Sequence, residues 1–139
     1  MKSLFKVTVA AAVLTLGSAL PALAQIDNSV DFKTAFPFYA GDVKMPAGSY
    51  RIFQAGINAE ELLVQSTDGK NSAFLEFTPM HAMDPHQHTD VTFQKYDDVE
   101  YLNRIWVAGQ QYGMKVEPSK AELKAASTAT AIEDTAAGQ

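Results

Sequence analysis

Hydrophobic and polar positions alternate with a period of two along much of this chain. Val30 to Phe36 set the pattern. Val30, Phe32, Thr34 and Phe36 fall on one face, and Asp31, Lys33 and Ala35 on the other. That period predicts a half-buried strand. Pro37 cannot donate to a ladder, which places this strand at an edge or beside a bulge. Phe36 to Phe53 (FPFYAGDVKMPAGSYRIF) then reads as strand, tight turn, strand, with turn residues from Gly41-Asp42 through Pro46-Ala47-Gly48. Proline fixes φ and glycine reaches φ > 0, so these residues punctuate the chain. On the return strand Tyr50 and Ile52 share a face, opposite Arg51 and Phe53. Ala55 to Ala59 contains Gly56 and Asn58 and reads as a loop.

Two further hairpins follow. Glu61 to Ser66 and Ser72 to Thr78 flank Asp68-Gly69, a pair suited to a turn whose two central residues need φ > 0. Leu62 and Val64 share a face, as do Ala73, Leu75 and Phe77. Pro79 to Asp90 (PMHAMDPHQHTD) breaks the alternation and reads as a long loop. Val91 to Tyr96 and Glu100 to Val107 form a hairpin around Asp97-Asp98. There Val91 and Phe93 point one way. Strict alternation puts Leu102, Arg104 and Trp106 on one face, with Ile105 and Val107 on the other. Ser119 to Glu122 is a capping box that starts a short helix running to about Ala126, with Leu123 as its one large apolar residue. Ser127 to Gln139 is rich in Ala and Thr, lacks periodicity, and is expected to be a disordered tail. The sum is a mainly β chain: a single antiparallel β-sandwich or small open barrel of about six strands, with a short C-terminal helix.

Residues 1–24 change the picture of where the chain works. Lys2 and Lys6 precede an apolar run from Val7 to Leu16, and Ala22-Leu23-Ala24 is an A-x-A cleavage site. This predicts a signal peptide, export to the periplasm or beyond, and a mature start at Gln25. The apolar run is shorter than a membrane span. The organisation expected is therefore signal peptide 1–24, β-rich domain with C-terminal helix 25–126, and tail 127–139. The chain has 11 Lys and Arg against 16 Asp and Glu, so loss of Lys2 and Lys6 takes the net charge from −5 to −7. An acidic surface argues against nucleic acid and against anionic lipid. With no cysteine, disulfides cannot contribute, and the core and the backbone ladder must hold the fold.

Several short motifs occur in a fixed order: Phe36-Pro37-Phe38, Met45-Pro46-Ala47-Gly48-Ser49-Tyr50, Ser66-Thr67-Asp68-Gly69-Lys70, Phe93-Gln94-Lys95-Tyr96 and Ile105-Trp106-Val107-Ala108-Gly109. Tyr112-Gly113 and Ser119-Lys120-Ala121-Glu122 complete the series. With these, Phe36 to Lys124 resembles a family of small secreted proteins of unknown function that is abundant in acidobacterial genomes. The resemblance implies export and one β-rich domain, and it carries no catalytic residue over to this chain. The histidine-bearing loop is not part of the family pattern.

That loop holds the sharpest candidate chemistry. His81, His86 and His88 are all the histidines of the chain, and Met80 and Met83 lie beside them. Imidazole suits copper and zinc, and thioethers suit Cu(I), so a Cu or Zn site is one expectation. The plainer expectation is a solvated loop with tolerated polar residues and no cofactor. Asp97, Asp98 and Glu100, with Asp90 near in sequence, could serve glycoside hydrolysis or calcium binding, but Asp at a hairpin turn is first of all turn chemistry. No Cys and no G-x-S-x-G elbow offer a nucleophile, so no enzyme activity is expected. Trp106, Tyr96, Tyr101 and Tyr112 could line a sugar or peptide surface, although aromatics at strand spacing more often cover a sheet face. Arg104 could pair with an acid or stack on the Trp106 indole. Val30 to Phe38 could add to a neighbour's sheet, giving self-assembly, or pair within its own domain. The function expected is a non-enzymatic exported β-domain with a binding or structural role toward an envelope partner. The alternative is a periplasmic metal-binding protein built on the His81 to His88 loop.

Overall fold

The computed structural model describes residues 29–55 and 61–139. The predicted signal peptide and most of the loop expected at Ala55 to Ala59 lie outside the described residues. Ten strands and one helix are present among the described residues. They are β1 (Val30–Thr34), β2 (Phe38–Ala40), β3 (Val43–Met45), β4 (Gly48–Ala55), β5 (Glu61–Ser66) and β6 (Ser72–His81). β7 (Asp90–Tyr96), β8 (Val99–Trp106), β9 (Tyr112–Val116), α1 (Lys120–Thr128) and β10 (Ile132–Ala137) complete them. The fold is mainly β with a C-terminal helix, as expected, but with more strands than the six that the pattern suggested.

Most alternating positions bury the faces that the sequence indicates. Val30, Phe32, Tyr50, Ile52, Leu62, Val64, Ala73, Leu75, Val91 and Phe93 all lie in the core. Phe32, Phe38, Tyr50 and Phe93 form its aromatic centre, with ring centroids 5.0 to 6.1 Å apart. Phe36 meets Phe93 edge-on at 5.1 Å. Tilted and edge-on contacts of this kind add to the burial of the rings themselves.

The connections differ from the expected order. Phe36 to Phe53 is not one hairpin. The chain turns at Gly41-Asp42 to pair β2 with β3, and then leaves for a distant partner. β4 pairs antiparallel with β1 (Val30↔Ile52 to Thr34↔Gly48) and with β5. Thus β1 pairs inside its own chain with a strand beyond the β2–β3 hairpin. β6 continues through residues expected to be loop. Its first half, Ser72 to Glu76, pairs with β5, and its second half, Phe77 to His81, pairs with β9. Pro79 is tolerated because it stands beyond the reach of β5.

Two further expectations are overturned. The tail is the first. β10 pairs with β7 over its whole length, Ile132↔Lys95 to Ala137↔Asp90, so residues 132–137 are strand rather than disordered. Little side-chain pattern announces it, since only Ala136 is buried. Its ladder satisfies β7 donors and acceptors that would otherwise stand at an open edge. Beyond it, Gly138 bridges Phe32 of β1, and the Gln139 N–H donates to the Asp31 carbonyl at 2.7 Å.

The second correction concerns β8. Thr92 faces Arg104 while Phe93 faces Leu102, so Asn103 is an extra residue in a bulge. A bulge shifts the phase of a strand by one position. Leu102 and Ile105 therefore both enter the core, where strict alternation had put them on opposite faces.

In α1, Ser119 caps the helix as predicted, accepting from the Glu122 N–H at 3.1 Å. Leu123 is 57% exposed, and the buried residue of the helix is Glu122.

Candidate functional site

The histidine loop is a clasp on its neighbours. The Ala82 N–H donates to the Gln111 carbonyl at 2.8 Å, and the His86 N–H to the Gln110 carbonyl at 3.1 Å. The Gly109 N–H donates back to the His86 carbonyl at 2.7 Å. The His86 ring lies flat on the Trp106 indole, with centroids 4.1 Å apart and planes 4° from parallel. Gly113 lies close by: a Cβ there would stand 2.5 Å from Trp106 Cε3. The glycine thus leaves room for an indole that packs across the backbone of β9, with His86 stacked on it. His81, at the end of β6, meets its register partner Tyr112 edge-on at 5.0 Å. His88 and Met83 are exposed, and Met80 is half-buried. The Met83 carbonyl accepts from Gln111 Nε2 at 3.0 Å.

The structure does not bring His81, His86 and His88 together. His81 and His86 meet different aromatic rings on different strands while His88 is exposed, and among the described residues no group of three or more His, Asp or Glu is placed to hold a metal ion. Of the candidate aromatics, Tyr101 stacks on Tyr39 at 5.4 Å and meets Tyr96 edge-on at 5.9 Å. Trp106 is taken by His86 rather than by Arg104.

The acidic residues come closer to forming a site. Asp97 and Asp98 take φ of 46° and 67°, so the two-residue turn with both central residues in the left-handed region falls here. At Asp68-Gly69 only the glycine is positive, within a wider turn knit by the Asp68 carboxylate. Asp tolerates the left-handed region better than most residues. This turn sets Glu100 at the start of β8, opposite Lys95 of β7. β10 lies along the other edge of β7 and places Asp134 opposite Phe93. Lys95 and Phe93 are two residues apart, hence on one face of β7. Glu100 and Asp134 therefore approach each other across that strand.

The two carboxyls line a pocket of about 350 Å³ together with Lys95, Asp98, Phe36 and Pro37. Glu100 is only 6% exposed, and its Oε2 has no hydrogen-bond partner. Burial pushes its carboxyl up from 4.5 to about 7, helped by a hydrogen bond to Asp134 and by the charge of Asp134, and opposed by Lys95. A second carboxyl beside Glu100 makes its ionisation costly in a poorly solvated place and so favours its protonated form. Lys95 leans toward Asp98, with Nζ 3.9 Å from its carboxylate. Asp90, grouped with these acids in the sequence, stands at the far end of β7 opposite Trp106. Asp134 escaped sequence reasoning because its segment has no apolar alternation. The one available signal was Ile132-Glu133-Asp134-Thr135, a run able to complete an edge.

Comparison with protein-family models, with curated proteins and with solved structures finds no match for this chain.

Proposed function

We propose that this chain is an exported, non-enzymatic β-domain of the periplasm or cell exterior that binds a cationic group of a ligand or partner in the Glu100–Asp134 pocket. The observation that carries the reading is the unpartnered Glu100 Oε2 beside a second carboxyl at the wall of a 350 Å³ cavity. Once Glu100 ionises, it joins Asp134 and Asp98 against the single charge of Lys95. An ammonium or guanidinium group offsets that imbalance and supplies the donor that Oε2 lacks. The signal-peptide pattern supports export, with mature chains starting at Gln25. The strand path supports a flattened barrel as the rigid frame, since β1-β4-β5-β6-β9-β8-β7-β10 returns to β1 through Gly138.

The test is calorimetric titration of the purified mature chain with agmatine, which carries an amine and a guanidinium. Binding is expected to tighten from pH 6 to pH 8 as Glu100 gives up its proton, and Glu100→Gln is expected to weaken it by about tenfold. Binding that is absent, or equal in Glu100→Gln and the parent, contradicts the proposal.

A further inference from the structure

A second groove lies on the opposite side of the β7–β8–β9 ladder, beneath α1. Its volume is about 260 Å³, and its walls include Asn103, Arg104, Lys115, Glu122, Tyr96 and Leu123. The bulge in β8 builds it. Asn103 is the extra residue, and the phase shift leaves Asn103 and Arg104 consecutive on the side away from the aromatic core. Asn103 is 6% exposed, yet its Nδ2 donates to nothing, and the buried Nε of Arg104 also lacks a partner. Among the described residues, neither Arg104 nor Lys115 forms an ion pair; the pairs present are Arg51–Asp31 and Lys95–Asp98. Glu122 lines the same groove without closing on either cation.

Buried donors left unmade are costly, and native structures seldom keep them without a reason. Here two of them border one cavity, beside a lysine, in a chain of net charge −5. The shortfall is in acceptors, so the missing group is an anion. Guanidinium and amide N–H groups side by side match a planar carboxylate better than a compact tetrahedral anion. The groove also has apolar sides, the Tyr96 ring and the half-exposed Leu123, which an inorganic anion would leave uncovered. Its volume lies just under the usual range for ligand pockets, which limits the occupant to a small molecule.

We propose that this groove binds a small organic carboxylate, its charged head on Arg104, Asn103 and Lys115 and its apolar body between Tyr96 and Leu123. The site is independent of the Glu100–Asp134 pocket and takes ligands of opposite charge. The probe is benzoate, titrated into the uniformly 15N-labelled full chain and followed at the Asn103 side-chain amide. Benzoate is expected to shift that resonance saturably, whereas benzyl alcohol and inorganic phosphate are not. Arg104→Met is expected to weaken binding at least about tenfold, Lys115→Gln about threefold, and Glu122→Gln to strengthen it by removing a competing carboxyl. Lys115 is exposed, so its variant keeps the test valid if Arg104→Met folds poorly. No shift with benzoate, an equal response to benzyl alcohol, phosphate binding as tight as benzoate, or unchanged affinity in both cation variants would each overturn the proposal.

Discussion

Glu100 is a buried carboxyl with an oxygen that no donor satisfies. Its folded carboxyl titrates near 7, above the unfolded value of 4.5. Between those values the unfolded chain gives up the proton first, so the native state loses stability as pH rises toward 7, and the penalty is complete above it. Glu100→Gln keeps the shape and a donor toward Asp134 while removing that penalty. The variant is expected to be more stable than the parent by on the order of 1 kcal/mol at pH 8, after allowance for solvent at the pocket wall, and the advantage to vanish near pH 4. Urea melts at the two pH values check this. Gly113 offers a second test at this scale, because a methyl there would run into the Trp106 ring. Gly113→Ala is expected to cost about 1–3 kcal/mol and to lift Trp106 off His86, shifting its fluorescence to the red. Unchanged emission would mean that the clasp does not depend on that contact. Inward and outward faces were legible residue by residue wherever strands were regular, as at Tyr50, Ile52 and Phe93. They were misread at Leu102 and Ile105, because a bulge residue such as Asn103 differs from its neighbours in backbone pairing rather than in side-chain type.

At the scale of elements, the informative case is β10. Its sequence, IEDTAA, offers one buried alanine and no apolar stripe, so the pattern alone reads as tail. What holds it is the backbone ladder along β7 and the links from Gly138 to Thr89 and from Gln139 to Asp31. A ladder depends on an unpaired neighbour elsewhere in the fold, and local sequence does not record that neighbour. A chain ending at Ala131 is therefore expected to lose roughly 2–4 kcal/mol of stability, from the net worth of several hydrogen bonds and the burial of Ala136. It is also expected to self-associate through the uncovered edge of β7. Urea denaturation and light scattering read the two effects, and a truncation that melts like the full chain would count against the strand. The helix shows the opposite balance. Ser119 and its acceptor role were plain in the capping-box spacing, whereas the burial of Glu122 instead of Leu123 follows from where α1 lies across the sheet.

Across the whole molecule, the strand path supports two polar pockets on opposite sides of the β7–β8 ladder. One draws Glu100 of β8 and Asp134 of β10 together across β7. The other uses the residues that the β8 bulge turns under α1. The fold class was readable from alternation and turn residues. The acid pair was not, since its members are 34 positions apart and one sits in a segment without apolar pattern. The histidines cluster in sequence, yet the fold spends His81 and His86 on separate aromatic partners. β10 delivers Asp134 to Glu100 and thereby makes an ionisable pocket. Carbon-13 NMR titration of the Glu100 carboxyl, in the parent chain and in Asp134→Asn, tests it most directly. A midpoint of about 7 is expected in the parent, with a clear fall in the variant. A Glu100 that titrates near 4.5 in both chains would contradict it.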